Sequence, residues 1–153
     1  MRVPPNNADA EKSVLGCMMQ DREALSLAFE LLTADDFYQP ANREIFDAMH
    51  ALNTQGMPID LVTVDDELTR RGTLEGVGGS NYLVELSQSM PSTVNARAYV
   101  QIVDEKATHR LVLTECRTEI TPGVICVLDI LVEKLEYLLT HEAEEEDPDR
   151  DME

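Results

Sequence analysis

Between Phe37 and Tyr82 the chain reads Asp35-Asp36-Phe37-Tyr38, Arg43-Glu44-Ile45-Phe46-Asp47-Ala48-Met49, Gly56-Met57-Pro58, Ile59-Asp60-Leu61-Val62-Thr63-Val64, Arg71-Gly72 and Gly78-Gly79-Ser80-Asn81-Tyr82-Leu83. Helical patterns alternate with turn residues, and none carries a catalytic group. Ile45, Phe46, Met49 and Leu52 fall at i, i+1, i+4 and i+7, so Ala41 to Asn53 makes a helix with one apolar stripe. Gly56 suits the position just past its end. Thr33 to Asp36 and Thr63 to Asp66 each have capping-box spacing, with Asp in place of Glu. The second box opens a helix through Val64, Leu68 and Arg71 that Gly72 closes. Phe37, Ile45, Phe46, Met49, Val62 and Tyr82 are expected in the core.

Upstream, Pro4 and Pro5 hold an extended arm. Asn6 or Asn7 caps a helix over Ala8 to Gln20, and Asp21 caps the next, which carries Leu25, Ala28, Phe29, Leu31 and Leu32. Gly16 inside the first helix implies close packing. Downstream, Gly76, Gly78 and Gly79 make a loop rather than a phosphate cradle, since no Gly-x4-Gly-Lys-Ser/Thr occurs. Ser80 is read as the cap of a helix with Tyr82, Leu83, Leu86 and Met90, ended by Pro91.

From Thr93 the elements lengthen. Val94, Ala98, Ile102, Val103 and Ala107 lead through His109-Arg110-Leu111-Val112-Leu113 in a helix that reaches Thr118. Pro122-Gly123 reads as a tight reversal, and Val124 to Thr140 as a second long helix. The expected fold is all-α: a compact head of about six short helices over residues 1–92, then a long antiparallel helical hairpin over 93–141. The last helix is apolar over more than one stripe, which calls for two partners, one of them a second copy of the chain. Leu111, Val124, Val127, Leu128, Leu131, Val132, Leu135 and Leu138 are the expected self-association face. Arg110, Arg117, Glu133 and Glu136 are candidate contacts to another protein. Residues 142–153 are an acidic tail or linker, too polar to fold alone.

Bulk composition narrows the function. The chain has 153 residues, one domain's worth, and its 43% apolar content suffices for a core without staples. Its net charge of −18, from 12 basic against 30 acidic residues, argues against direct nucleic-acid binding. Cys17, Cys116 and Cys126 form no paired framework and suggest reduced thiols in a cytoplasmic protein. His50, His109 and His141 are scattered, so neither metal nor cofactor is expected. No apolar run is long enough to span a bilayer. Carboxylates adjacent on a helix, such as Asp65-Asp66, diverge by about 100° and cannot work on one substrate. With no nucleophile–base pair either, an enzyme is not expected.

Taken together, these segments resemble the N-terminal domain of the bacterial replicative DNA helicase, the DnaB family. That domain opens with Pro-x-Asn/Ser-x-x-Ala-Glu-x-Ser-Val-Leu-Gly, matched by Asn7-Ala8-Asp9-Ala10-Glu11-Lys12-Ser13-Val14-Leu15-Gly16 behind Pro5. Asp36-Phe37-Tyr38, Ile45 to Met49, Ile59 to Val64 and Gly78 to Leu83 follow in order. Asn95-Ala96-Arg97-Ala98-Tyr99-Val100-Gln101-Ile102-Val103 and Lys106-Ala107-Thr108-His109-Arg110 complete a likeness over residues 6–120. The resemblance implies a non-catalytic domain whose hairpins pack together into the collar of a hexameric motor. There it docks primase or a helicase loader. The family's P-loop motor would lie downstream, and residues 121–153 match the pattern poorly. The alternative is a free-standing relative of phage or prophage type that copies this domain and binds the host helicase, loader or primase.

Overall fold

Polar caps set the starts of the first helices. Asn7 Oδ1 accepts the Ala10 N–H at 3.0 Å, and Asp21 Oδ1 accepts that of Glu23 at 2.9 Å. These two caps open α1 (Ala8–Gln20) and α2 (Arg22–Leu31). Asp36 Oδ2 accepts the Thr33 N–H at 2.7 Å, closing the expected box around a 3-10 turn at Ala34–Asp36. The structure is a computed structural model that describes residues 3–89, 92–115 and 122–142, without the side chains of 122–126 and 139–142. Its further helices are α3 (Pro40–Thr54), α4 (Leu61–Arg71), α5 (Gly79–Gln88), α6 (Ala96–Glu115) and α7 (Pro122–Glu142), with a 3-10 turn at Glu75–Val77. Every regular element among the described residues is helical, as the sequence pattern implied. Met90, Pro91, Cys116, Arg117 and residues 143–153 of the acidic tail lie outside the described residues, while Glu142 closes α7.

Two compact units divide the chain, Met1–Arg110 and Leu111–Glu153. In the first, α1 packs against α2, α3 and α5, while α4 joins α3 to α5. The core is Val14, Leu15 and Met18 of α1, Ile45, Phe46 and Met49 of α3, Val64 and Leu68 of α4, and Leu83 and Leu86 of α5. Val100 and Val103 of α6 complete it. Phe46 meets Phe29 edge to face with centroids 5.4 Å apart and lies 5.0 Å from Phe37, geometries that favour aromatic pairs. Gly16 is buried in α1, and a cluster of small residues, Cys17, Ala24 and Ala96, seats α1, α2 and α6 beside one another.

Four local expectations need correction. Helix α4 starts one turn earlier than the Thr63 box predicted, because Asp60 is the stronger cap. Its Oδ1 accepts the N–H of Val62 and of Thr63, each at 2.9 Å, and Thr63 Oγ1 accepts the Asp60 N–H at 3.0 Å. That register puts Val64 and Leu68 inside and turns Val62 outward at 74% exposure, so Val62 is not a core residue. Ser80 does not cap α5; the cap is Gly78, at φ +109. A Cβ there would meet Tyr82 Cβ at 3.1 Å, which explains why glycine is needed. Pro122 and Gly123 do not form a reversal of their own but lie in the first turn of α7, where proline's missing N–H has no cost. Finally, α6 begins at Ala96 rather than Thr93.

Candidate interaction surface

In the second unit, α7 advances about 100° per residue. On that wheel Leu138, Leu131, Leu135, Leu128 and Val132 occupy a continuous arc of about 120°. Leu128 is 54% exposed and Leu135 56%, with Val132 and Leu138 close behind, while Leu131 is half-buried. Val127, beyond the Leu138 edge of the arc, is buried at 7% exposure. Beyond the Val132 edge stand Glu136, Asp129 and Glu133, all exposed; beside Val127 stands Lys134, half-buried. An aliphatic stripe this open, edged by carboxylates on one side, is a surface that water covers poorly.

The expected face divides accordingly. Leu128, Val132, Leu135 and Leu138 are exposed together on α7, and Leu111 is exposed near the end of α6. Val127 is already covered, and the Val124 side chain lies outside the described residues. Leu113 and Tyr137 are also exposed and were not anticipated. Tyr137 falls about half a turn from Leu128 on the wheel, off the arc, so stripe counting misses it.

Of the candidate partner contacts, Glu133 and Glu136 are exposed, and Arg117 lies outside the described residues. Arg110 is half-buried and engaged by the first unit itself. It donates from Nη1 to the Pro5 carbonyl at 2.9 Å and from Nη2 to the Asp36 carbonyl, with its guanidinium 5.6 Å from the Tyr38 ring centre. Burial is the main influence lowering its pKa.

Sequence patterning also missed a buried polar knot. Glu11 of α1 is 1% exposed. Its carboxylate accepts the N–H of Tyr38 at 2.7 Å and of Gln39 at 3.3 Å, and Asn42 Nδ2 donates to it at 2.9 Å. Asn42 Oδ1 in turn accepts the Tyr82 hydroxyl at 2.7 Å. Burial pushes the Tyr82 phenol up. The only hint is a glutamate one turn after a helix cap, within the apolar face of α1. On α4, Glu67 is 4% exposed and bonded to Arg70 and Arg71 at 2.8–2.9 Å. Those hydrogen bonds, chiefly from Arg70 and then Arg71, hold its pKa at about 2. The Glu11 knot ties α1 to α3 and α5, and Arg71, held by Glu67, reaches Glu44 of α3 at 3.4 Å. Among the described residues no group of three His, Cys, Asp or Glu is placed to hold a metal, and no helix is long and apolar enough to cross a membrane.

Residues 3–105 match the family model of the DnaB-like helicase N-terminal domain. The replicative DNA helicase DnaC of Bacillus subtilis (strain 168) is 42% identical over 117 residues, 76% of this chain and 26% of the relative. The replicative DNA helicase DnaB of Geobacillus stearothermophilus is 43% identical over 109 residues, 71% of this chain and 24% of the relative. The chain thus spans about a quarter of the length of these relatives. The crystal structure of the N-terminal domain of DnaB helicase from Mycobacterium tuberculosis superposes with a TM-score of 0.70 at 42% identity, covering 73% of this chain and 81% of that one. A structure of a DnaB-like replicative helicase, described with its interactions with primase, superposes with a TM-score of 0.63 at 25% identity. It covers 93% of this chain and 36% of that one.

Proposed function

The chain belongs to the DnaB-like helicase N-terminal domain family, and from that premise we propose that it serves as an assembly and docking module of a replicative helicase. Its work is to be held: by further copies of itself, through α7 and the end of α6, and by a second replication protein of the primase or loader kind. The observation that carries this reading is the open aliphatic arc on α7, Leu128, Val132, Leu135 and Leu138. The structural relative described with primase supports the second half.

Magnitudes decide what the arc can do alone. Each of its four exposed side chains, already half covered, has about 1 kcal/mol left to gain by burial. Two copies therefore gain about 8 kcal/mol, against an association cost of about 4–15 kcal/mol. Pairing through α7 alone is weak and concentration-dependent, and a tight ring needs the Leu111–Leu113 segment or further contacts.

Light scattering coupled to size exclusion, run from about 10 to 500 μM to span weak pairing, tests the reading. The wild type should shift from monomer toward dimer or larger. Leu128→Asp with Leu135→Asp should hold it monomeric with unchanged helical circular dichroism. A wild type that stays monomeric throughout, or a doubly charged variant that still associates, overturns the α7 face.

A further inference from the structure

Arg110 is the last residue of the first unit, and α6 runs on past it into the second. Its side chain joins the N-terminal arm, the corner before α3 and α6. One guanidinium nitrogen takes the Pro5 carbonyl and the other the Asp36 carbonyl, and the Tyr38 ring lies beside the cation. The same corner is also held by the Glu11 carboxylate, through the N–H groups of Tyr38 and Gln39. Arg43 Nε adds a bond to the Phe37 carbonyl at 2.6 Å.

Asn7 fixes the end of the arm as the cap of α1, its Oδ1 taking the Ala10 N–H and its carbonyl the Glu11 N–H, each at 3.0 Å; before it, among the described residues, the Arg110–Pro5 bond is the hydrogen bond from the arm to the head. Pro4 and Pro5 have no N–H to give, and Val3 is 73% exposed. Asn6 Nδ2 bonds only within the arm, to the Pro4 carbonyl at 2.8 Å. A planar guanidinium reaches two carbonyls at fixed spacing, which a lysine ammonium, a point donor, does not reproduce.

We propose that residues 3–7 form a strap across the Asp36–Tyr38 corner, fastened by Arg110 of α6, so that the course of α6 at Arg110 and the order of the arm depend on each other. A partner or second copy that shifts α6 at this position loosens the strap, and an arm drawn away by a partner loosens α6, because such coupling is reciprocal. The strap belongs to the first unit alone and does not require the α7 pairing above.

Backbone amide NMR on the full chain tests it in both directions. In the wild type the Asn6 and Asn7 amides should show the order of the helices, with order parameters near 0.85. Arg110→Lys and Arg110→Gln should drop Asn6 below about 0.6 while core amides such as Met49 keep their order. Removing residues 1–5 should shift the amides of Arg110 and its α6 neighbours and of Asp36–Tyr38, and leave those of α4 in place. An Asn6 amide already flexible in the wild type overturns the strap. So does one that stays ordered in Arg110→Lys, or a truncation that leaves Arg110 unmoved. Should Arg110→Gln fail to fold, Arg110→Lys and the truncation still decide.

Discussion

Replacing Glu11 with leucine keeps the volume of a buried side chain and removes both carboxylate oxygens from the polar knot, leaving Asn42 Oδ1 to accept the Tyr82 hydroxyl. Tyr38 N–H and Asn42 Nδ2, at 2.7 and 2.9 Å, then face apolar carbon with no carboxylate to accept them, and Gln39 N–H loses a longer bond of 3.3 Å. Hydrogen bonds to a charged acceptor are each worth about 1.5–3 kcal/mol, and a buried donor left unsatisfied costs about 1–3 kcal/mol. Two good bonds and one weak one, set against the desolvation that the lost carboxylate no longer bears, come to about 4 kcal/mol. Single domains of this size are stable by about 5–15 kcal/mol, so the loss is a large share of the total. In urea, with an m-value of about 2 kcal/mol/M, the midpoint should fall by about 2 M. Glu11→Gln, which keeps one oxygen but turns an amide N–H toward the same donors, should lose about half as much. Glu23→Leu, on the exposed side of α2, should lose under about 0.5 kcal/mol and serves as the control. Protein concentration must be held fixed, because association adds to apparent stability. A loss below about 1 kcal/mol for Glu11→Leu would refute the claim that this carboxylate organises the α1–α3 corner.

Glu67 should make the fold acid-sensitive in a defined window. Its folded pKa, about 2, lies below its ordinary value of 4.5, so its contribution is complete above about 4.5 and fades as pH falls toward 2. Discounted for the exposure of Arg70, the contribution is about 1–3 kcal/mol, and urea titrations from pH 6 to 2 on wild type and Glu67→Gln should differ by a slope confined to that window. Gly78→Ala should cost more than Gly72→Ala in the same assay. Both hold a left-handed backbone, worth about 1 kcal/mol, but only at Gly78 does the added carbon also press on Tyr82. Phe46→Ala should cost about 3–5 kcal/mol, since its ring is buried between Phe29 and Phe37.

What sequence reading recovers here is what local chemistry determines. Asn7, Asp21 and the Thr33–Asp36 box act within four residues of the elements they start, and the apolar stripe of α3 shows at helical period. Where two caps compete, reading fails. Asp60 and Thr63 both suit an N-cap, and choosing Thr63 shifted the start of α4 and cast Val62 as core, though it lies about 200° around the helix from Val64. The Glu11 knot was invisible for another reason: its donors, two backbone N–H groups and the Asn42 amide, lie 27, 28 and 31 residues away, brought near only by the folded head. Arg110 reads as a surface cation for the same reason, since its acceptors are carbonyls at Pro5 and Asp36. The α7 residues were legible as one stripe by their spacing; that Leu128, Val132, Leu135 and Leu138 are exposed and Val127 is covered is not something spacing alone determines.

The carboxylates along one edge of the α7 arc give that face a handedness. A two-fold pair of antiparallel α7 helices brings Asp129, Glu133 and Glu136 of one copy beside the same three of the other. A parallel pair sets them instead against the Lys134 margin. Ions screen such contacts over about 10 Å at 0.1 M. Added salt should therefore tighten the first arrangement and weaken the second, and a simple ionic-strength series reports which way the helices run before any complex is imaged.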